Sequence, residues 1–551
     1  MYKICKTITG VLLSSALLIS FNSTAQVQVA APKAPAELPK NWHLMDLKTD
    51  GYFGISLNQA YLFVKGKKSK TVVVATIDSG IDTAQADLKP ILWVNTKEIP
   101  GNGIDDDKNG YIDDVHGWNF LGGPGGKCDF TETTEEVREY NRLKGKYETV
   151  SSAPAGSEKE FAYWEKVKLT HDATLNKANT EIQQLQPIMN ALMATSGYVK
   201  NALKLQSGSS FKKADLAKIT AASDTVKQSK AVWSSVFEQE GGDQTNAKII
   251  NDLSEYLAKL NNDVSPDLDA RKRIVGDNPD VNDGKPYGNN LLKFADAEHG
   301  TGVAGLIGAV RGNKYGIDGV ADNVRIMSIK GVPNGDEYDK DIANAIRYAV
   351  DNGAKIINMS FGKKLSPHKA WVDAAFKYAA EKNVLLIQAS GNDNQDVDAQ
   401  PEFPNDIFED GSAVDADNVI SVGASADKLN ETLAGSFSNY GKNNVDVFAP
   451  GVKVTSINMD AEFNTADGTS FASPITAGIA ALVLEYYPNL SAKQLKQVIL
   501  ESAVPLTGTM VLKPGSTTEK VDFTSLSKTG GIVNAYRALL AASKLKGERG
   551  I

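Results

Sequence analysis

Residues 71–82 read Thr-Val-Val-Val-Ala-Thr-Ile-Asp-Ser-Gly-Ile-Asp, a β-branched apolar run that ends in an acidic, glycine-containing turn. A continuous apolar run of this kind is typical of a strand buried on both faces of a parallel sheet. Helical patterns alternate with further short apolar runs downstream. This alternation predicts a doubly wound, mostly parallel α/β sheet. The further runs are 324–329, 355–359, 384–389 and 419–424, with helices at 342–350 and 367–381.

Ligands bind outside the carboxyl ends of the strands in such a sheet, so residues that directly follow an apolar run are functional candidates. Asp78 follows the first run directly. A carboxylate in this position can be held in place and partly shielded, which suits the task of orienting a histidine. The alternative is an aspartate that only forms a turn.

His299 begins the stretch His-Gly-Thr-Gly-Val-Ala-Gly, whose small residues continue in a helical pattern. The chain has five histidines, and only His299 lies at the start of a helix of small residues, where backbones pack closely and a substrate can approach. This position makes His299 a candidate for a catalytic base, although the pattern alone does not establish that role.

Ser470 lies in Gly-Thr-Ser-Phe-Ala-Ser-Pro, residues 468–474, which leads into an apolar helix. A serine at a helix start faces free backbone N–H groups and the positive end of the helix dipole. Both would stabilise an oxyanion that forms on a substrate carbonyl. Pro474 is acceptable in a first helical turn. The alternative is an ordinary N-cap serine.

Taken together, Asp78-Ser-Gly, His299-Gly-Thr-Gly and the motif around Ser470, in this order, resemble the signatures of the subtilisin-like family of serine peptidases. The resemblance covers about 42–126 and 291–540. It implies a secreted serine endopeptidase that cleaves protein or peptide substrates through an acyl-enzyme. Ser470 would be the nucleophile, His299 the general base, and Asp78 the residue that holds the imidazole tautomer.

The resemblance also implies the residues that bind substrate. Asn392, in Ala389-Ser390-Gly391-Asn392, matches the family's side-chain donor to the oxyanion. Ser360-Phe361-Gly362 matches the stretch that pairs with the substrate backbone as an added strand. The sequence departs from the family pattern at two positions. It has Gly302 where the family usually has histidine, and Phe471 where the family usually has methionine. The residues implied in substrate binding are Ser360, Phe361, Gly362, Ser390, Gly391 and Glu402.

Glu402 precedes Phe403-Pro404, the aromatic-Pro pair that in the family follows the floor residue of the first specificity pocket. A carboxylate in a partly dry pocket is costly unless a cation pairs with it. The resemblance therefore implies a preference for Lys or Arg before the cleaved bond. The alternative is a loop that differs by one residue, with Glu402 pointing into water.

The acidic loop 105–114, Asp-Asp-Asp-Lys-Asn-Gly-Tyr-Ile-Asp-Asp, suggests a metal site. Oxygen ligands at alternate positions followed by glycine at the sixth are how a short loop wraps a hard cation, and flexible, numerous ligands favour calcium over magnesium. It is not an EF-hand, because His116 occupies the twelfth position. The alternative is a solvated acidic turn. The candidate ligands are Asp105, Asp107, Asn109, Asp113 and Asp114.

Residues 127–290 are predicted to form a helical insertion between the two parts of the peptidase domain, 26–126 and 291–545. Apolar residues in 175–192 alternate spacings of three and four, and a second amphipathic stretch covers 249–260. The two could pair as an antiparallel hairpin, with Pro187 kinking the first. His171 is predicted to have a structural or solvent-facing role, and no catalytic chemistry is evident in this block.

Residues 1–25 are typical of a signal peptide, with Lys3 and Lys6 before an apolar run and Ser-Thr-Ala before Gln26. The mature protein is then predicted to be secreted or periplasmic, with Cys128 as its one cysteine and no membrane span. A formal net charge of −8 argues against nucleic-acid binding.

Two other classes of protein were considered. One is a catalytically silent binding protein with the same fold, and the intact set of Asp78, His299, Ser470 and Asn392 counts against it. The other is an esterase or lipase, which would need a Gly-x-Ser-x-Gly motif that does not occur around Ser470.

Overall fold

The structure, a computed structural model, describes residues 38–220, 223–239, 244–412, 415–461 and 463–549. The predicted signal peptide, with Cys5, lies outside the described residues. The chain divides into two compact units: a helical unit, Glu136–Asp267, and a sheet unit, formed by the described residues up to Glu135 and from Leu268 onward.

Nine strands of the sheet unit form one sheet, and six more form three two-stranded sheets. In chain order the described strands are β1 Val72–Asp78, β2 Gly117–Asn119, β3 Gly122–Gly123, β4 Lys127–Cys128, β5 Val324–Lys330, β6 Ile356–Met359, β7 Leu385–Ala389, β8 Val419–Ser425, β9 Val447–Pro450, β10 Val454–Ile457, β11 Phe463–Ala466, β12 Val504–Pro505, β13 Met510–Leu512, β14 Lys520–Asp522 and β15 Gly531–Ile532. The large sheet has the order β12-β15-β9-β8-β7-β6-β1-β5-β2. Its neighbours pair in parallel, except β12 and β15, which are antiparallel at one edge.

Helices connect these strands and build the helical unit. In chain order they are α1 Leu57–Val64, α2 Glu135–Tyr147, α3 Glu158–Ala202, α4 Asp224–Gln239, α5 Asn246–Val264, α6 Ala270–Ile274, α7 Glu298–Gly308, α8 Asp339–Asp351, α9 Lys369–Glu381, α10 Thr469–Tyr486, α11 Ala492–Glu501 and α12 Ala535–Ala542. Short 3₁₀ turns occur at Trp42–Leu44, Lys89–Ile91, Pro124–Gly126, Lys213–Lys218, Met459–Ala461 and Phe523–Ser525. Among the described helices, none is both long and apolar enough to cross a membrane.

The central strands are apolar throughout because helices cover both faces of the sheet. Val72 and Val74 of β1 pack in a cluster that includes α7, α10 and α11. Ala75 and Ile77 of the same strand pack on the opposite face, in a cluster with α8 and α9. Alternate side chains of one strand thus enter two different cores. The predicted doubly wound, mostly parallel α/β fold is confirmed.

The helical unit contains α3, α4 and α5 around an apolar core. Asn246 donates to Ser196 (2.8 Å), and Tyr256 donates to Glu181, so α3 and α5 run antiparallel as predicted. The helix α3 continues through Pro187 and does not end there. In the same unit the imidazole of His171 stacks on Tyr140, with ring centroids 3.7 Å apart. A stacked, buried ring fits the structural role predicted for His171.

The residues that flank the helical unit belong to the sheet unit, although the predicted insertion of 127–290 includes them. The guanidinium of Arg271 donates twice to Asp341, at 2.7 Å each, and Lys340 donates to Asp277 at 2.6 Å. On the other flank, Glu135 accepts from Lys363. These flanking segments are polar and carry no apolar periodicity, so the sequence pattern does not reveal that ion pairs attach them to the sheet unit.

Candidate active site

Asp78 and His299 are joined by a hydrogen bond at the carboxyl edge of the large sheet. Asp78 is the last residue of β1 and is 2% exposed, and His299 is the second residue of α7. The imidazole Nδ1 lies 2.8 Å from Oδ1 of Asp78, which also accepts the backbone N–H of Ser79 at 2.7 Å. The carboxylate thus holds the proton of a neutral imidazole on Nδ1, and Nε2 is left as the basic nitrogen.

The surroundings of His299 shift its pKa in opposite directions. Burial of the ring disfavours the imidazolium, whereas the negative charges of Asp78 and Glu298 favour it. The carboxylates prevail, so the pKa of His299 is raised above its usual 6.5. A base with a raised pKa is a stronger proton acceptor but is neutral only at a correspondingly higher pH.

The small residues after His299 allow its helix to approach β1 closely. A Cβ on Gly300 would lie 2.1 Å from the carbonyl oxygen of Gly80, which no side chain tolerates. At Gly302, a Cβ would lie 3.7 Å from the ring of Phe471. The two departures from the family pattern, Gly302 and Phe471, are therefore neighbours, and the small residue lies beside the large one.

Ser470 is the second residue of α10 and is 9% exposed. Its neighbour Phe471 lies beside His299, with ring centroids 6.1 Å apart, so the helix start and the base adjoin. Pro474 lies in the second turn of the helix, and not in the first as predicted. Because Pro474 has no N–H, the carbonyl of Ser470 loses its intrahelical donor, and the hydroxyl of Ser360 donates to it at 2.9 Å instead.

Ser360 is held in turn by buried side chains beneath α10. Asn358, in β6, donates from Nδ2 to the hydroxyl of Ser360 at 2.9 Å, and its Oδ1 accepts from Ser473 at 2.8 Å. Ser473 itself belongs to α10. Helix α10 is therefore connected to the central sheet by a chain of satisfied hydrogen bonds, which fixes its backbone at Ser470.

Asn392 lies next to the start of the same helix. Its Oδ1 accepts two hydrogen bonds from Thr469, from the backbone N–H at 2.9 Å and from the hydroxyl at 3.0 Å. Because both of these hydrogen bonds use Oδ1, the Nδ2 group of Asn392 is left to donate elsewhere, and Asn392 is exposed to solvent. The first N–H groups of a helix have no intrahelical acceptor, so the N–H of Ser470 is a second donor beside the Ser470 hydroxyl.

The predicted substrate-binding stretch 360–362 follows β6. Its first residue, Ser360, turns its hydroxyl toward Ser470, whereas Phe361 and Gly362 are partly exposed. The next residue, Lys363, exchanges two backbone hydrogen bonds with Phe403, at 2.8 and 2.9 Å. This exchange joins the stretch to the loop that carries Glu402.

Glu402 lies between the two glycine-containing stretches. A Cβ on Gly362 would lie 3.1 Å from Oε1 of Glu402, and one on Gly391 would lie 3.0 Å from Oε2. Asn439, which is buried, donates from Nδ2 to Oε2 at 3.0 Å and to the carbonyl of Ser390 at 2.9 Å. The carboxylate of Glu402 thus lies close to both Gly362 and Gly391.

The environment of Glu402 favours its neutral form. Burial raises the pKa of Glu402 to about 7, and the negative charges of Asp393 and Asp336 act in the same direction. Lys364 and the hydrogen bond from Asn439 oppose the shift without reversing it. At neutral pH this carboxyl group is therefore close to half ionised.

Three residues that support the site were not identified as functional from the sequence. Thr469 orients Asn392, Asn439 holds Glu402, and Asn358 holds Ser360. Thr469 lies within the motif around Ser470, so its neighbours could have suggested it. Asn439 acts on Glu402 across 37 residues, for which a single sequence contains no spacing rule. Asn358 lies only two residues before Ser360, but it stands inside the apolar run of β6, where the pattern predicts a strand and no site.

The acidic loop brings together Glu98, Asp105 and Asp107, whose carboxylate oxygens all lie within 4.8 Å of one another. Carboxylate oxygens are the ligands that a hard cation prefers, so this group fits calcium. Lys97 is 3.7 Å from Asp107, and its side chain is 73% exposed. The sequence pattern did not reveal Glu98, because it lies outside the regular spacing of the loop.

The other predicted ligands have different partners in the structure. Asp113 accepts the backbone N–H groups of residues 101, 102 and 103, and Asp114 accepts from Asn95 and Tyr348. Asn109 donates to Asp114 and accepts from the N–H of residue 111. These side chains stabilise the loop, and the described group of three carboxylates does not include them.

Comparison with known proteins places these features in a family. The model of the subtilase family matches residues 69–531. The thermophilic serine proteinase of Bacillus sp. (strain AK1) is 37% identical over 245 residues, which cover 44% of this chain and 54% of that protein. Subtilisin DY of Bacillus licheniformis is 35% identical over 38% of this chain and 71% of its own length. Thermitase of Thermoactinomyces vulgaris is 30% identical over 50% and 83%. The chain thus spans about half the length of the first of these relatives.

Proposed function

The chain belongs to the subtilase family, and on this premise we propose that it is a serine endopeptidase whose catalytic triad is Asp78, His299 and Ser470. The observation that carries the proposal is the 2.8 Å hydrogen bond between Asp78 and His299 beside the helix start that presents Ser470. Relatives named as serine proteinases support the reaction class.

The chemistry follows from these positions. Nε2 of His299 accepts the proton of the Ser470 hydroxyl while Oγ bonds to the substrate carbonyl carbon, and the carbonyl π electrons move to oxygen. Nδ2 of Asn392 and the N–H of Ser470 donate to that oxyanion. The imidazolium then protonates the amine as the C–N bond breaks. Water repeats the sequence on the acyl-enzyme and restores Ser470.

The substrate would lie extended along residues 360–362, with the side chain before the cleaved bond between Gly362 and Gly391. Glu402 would then meet that side chain, and a Lys or Arg would supply the cation that a partly buried carboxylate needs. The finer proposal is thus a preference for basic residues at this position. It rests on the contacts of Glu402 with both glycines.

Calcium would be held by Glu98, Asp105 and Asp107 and would have a structural role. The bound cation would neutralise three carboxylates that otherwise repel one another. Residues 1–25 support export, and we propose a secreted or periplasmic protein. Loss of these residues from the exported form, read by N-terminal sequencing, tests this; a mature protein that starts at Met1 would contradict it.

A fluorophosphonate probe tests the catalytic proposal. It should label the wild-type chain covalently, and Ser470→Ala should prevent the labelling. Ser229→Ala is the matched control, because Ser229 is a buried serine whose hydroxyl donates to the carbonyl of Thr225 in the helical unit. Equal labelling of wild type and Ser470→Ala, or none of a folded wild type, would contradict the proposal.

A further inference from the structure

The loop that carries Asn392, residues 392–397, is fixed by hydrogen bonds that its backbone N–H groups donate. Oδ1 of Asn439 accepts the N–H groups of Asp393 and Gln395, at 3.0 and 2.9 Å. Between them, Asn394 has a positive φ of 53° and donates its N–H to the carbonyl of Phe437 at 2.9 Å. The backbone two residues after Asn392 is therefore tightly turned, and a displacement there is transmitted to Asn392.

A hairpin formed by β13 and β14 contacts this loop. The hairpin is attached to the neighbouring segment 431–436, where its tip residue Gly515 donates its N–H to the carbonyl of Ser436 at 2.8 Å and Leu512 donates to the carbonyl of Glu431 at 2.7 Å. A Cβ on Gly515 would lie 2.5 Å from Oδ1 of Asn394. A side chain at the tip would therefore force the Asn394 side chain to shift.

The base of the hairpin is anchored in the same apolar cluster as the end of the loop. Val511 of β13 and Phe523, directly after β14, are fully buried there together with Val397. Because these three residues share one core, the hairpin cannot move independently of the loop. The contact between Gly515 and Asn394 is therefore imposed by packing on both partners.

We propose that the hairpin β13–β14 is a positioning element for the oxyanion donor, and that Gly515 acts on Asn392 through Asn394. This inference rests on the proposed function, since it assigns Asn392 its role. Neither the motif around Ser470 nor the stretch 389–392 includes the hairpin, which lies more than 100 residues after Asn392 in the chain.

The substitution Gly515→Ala is expected to push Asn394 and to displace the Asn392 amide from the oxyanion. Loss of such a donor costs about 10²–10³ in kcat, and misplacement by about 1 Å costs up to about 10²-fold. We expect kcat to fall about tenfold or more with KM nearly unchanged, because the donor acts on the transition state and not on the bound substrate.

Gly508→Ala is the matched control in the same segment. Gly508 has a φ of 77°, close to the 82° of Gly515, but no atom lies within 4 Å of the added Cβ. Both variants carry the same backbone strain, so a fall in melting temperature common to both reports strain alone. Only Gly515→Ala should lower kcat.

Two double variants identify the route. Asn394→Gly removes the side chain that the new methyl group meets, so kcat should recover in Asn394→Gly/Gly515→Ala. In an Asn392→Ala background, Gly515→Ala should cause no further loss of kcat. If Gly515→Ala fails to fold, Asn394→Gln, which presses on the same contact from the loop side, should lower kcat in the same Asn392-dependent way.

Wild-type kcat in a folded Gly515→Ala chain, or a loss of equal size in the Asn392→Ala background, would overturn this inference alone. If the turnover of the wild type does not depend on Ser470, the proposed function is overturned, and this inference with it. Turnover is therefore measured side by side for the wild type, for Ser470→Ala and for the hairpin variants. This comparison distinguishes a failure of this inference from a failure of the proposed function.

Discussion

The hydroxyl of Ser360 donates to the carbonyl oxygen of Ser470 at 2.9 Å, the group that Pro474 leaves without an intrahelical donor. Ser360 also begins the stretch proposed to bind the substrate backbone. One side chain thus connects the proposed substrate-binding stretch to the backbone of the proposed nucleophile, and the rigidity of Ser470 depends on a residue 110 positions earlier in the chain.

Ser360→Ala should therefore lower both stability and kcat. An unsatisfied buried carbonyl costs about 1–3 kcal/mol in the free energy of unfolding, and loosening of Ser470 should lower kcat by about tenfold. Ser229→Ala is the control, because Ser229 is equally buried and donates to a helix carbonyl, that of Thr225, away from the site. The measurements are thermal melting and peptide turnover. A kcat for Ser360→Ala that equals that of Ser229→Ala would contradict this role.

Five of the nine strands of the large sheet, β1 and β5 to β8, were predicted to within about one residue at each end, because a strand buried on both faces is apolar throughout. The other four, β2, β9, β12 and β15, are two to four residues long and were not predicted. The predicted run 324–329 is observed as Val324–Lys330, and 419–424 as Val419–Ser425. The polar residues that end these strands were missed because the prediction relied on apolar side chains. Lys330, at the end of β5, is polar and still buried, because it pairs with Asp296. A buried ion pair leaves no trace in an apolar pattern.

The side chains of the candidate site were predictable where a motif carries them, and not where a partner lies far along the chain. Asp78 and His299 meet as the motifs imply. Glu98, in contrast, joins the acidic loop through a fold of the chain that has no fixed spacing, and Asn439 reaches Glu402 across 37 residues. Pairings of this kind depend on tertiary contacts that a local pattern does not contain.

Turnover should fall as the pH drops, with a midpoint above 6.5. The proposed base is the neutral imidazole of His299, and because its pKa is raised the ring becomes protonated at a higher pH than an ordinary histidine does. Glu298 contributes to this rise, so Glu298→Gln should move the midpoint of kcat/KM to lower pH. The pH profile of kcat/KM for both proteins checks this. A profile that stays flat from pH 8 to pH 5 would exclude His299 as the base.

Peptides with Lys or Arg before the cleaved bond should be preferred over those with Phe or Leu, and increasingly so as the pH rises from 6 to 8. Glu402 has a pKa of about 7, so it is mostly neutral below that pH and mostly ionised above it. Glu402→Gln should abolish both the preference and its pH dependence. Glu409→Gln, an exposed residue of the same loop, serves as the control.

Four fluorogenic peptides that differ only in that residue provide the measurement, as ratios of kcat/KM. If Phe or Leu is preferred at every pH and Glu402→Gln leaves the ratios unchanged, Glu402 does not contact the substrate side chain.

Removal of calcium should lower the melting temperature. Calcium at about 100 times its dissociation constant adds about 2.7 kcal/mol to the free energy of unfolding. Asp107→Ala and Glu98→Gln should both abolish the response to chelator, since each removes a carboxylate of the group. Asp106→Asn should retain the response, because Asp106 lies between two of these residues but is bonded to Asn102. Identical melting of the wild type with and without chelator would refute the calcium site.

Deletion of the helical unit should leave the triad intact only if the cut respects the ion pairs of the sheet unit. Replacement of 137–267 by a short Gly/Ser linker keeps Arg271, Asp277 and Glu135, and with them the partners of Asp341, Lys340 and Lys363. Replacement of 127–290 removes those partners and leaves the buried charges of Asp341 and Lys340 uncompensated, whereas Lys363 keeps Asp339 at 2.9 Å. Each broken buried pair costs about 3–5 kcal/mol, which together is comparable to the whole stability of a typical domain.

The first deletion should therefore be soluble and labelled by a fluorophosphonate at Ser470, and the second should be unfolded. The deciding measurements are circular dichroism and probe labelling of both chains. Loss of labelling in a folded 137–267 deletion would mean that the helical unit supports the catalytic geometry. Full labelling of the 127–290 deletion would mean that the ion pairs of Arg271 and Glu135 do not stabilise the sheet unit, because their buried partners would then fold without them.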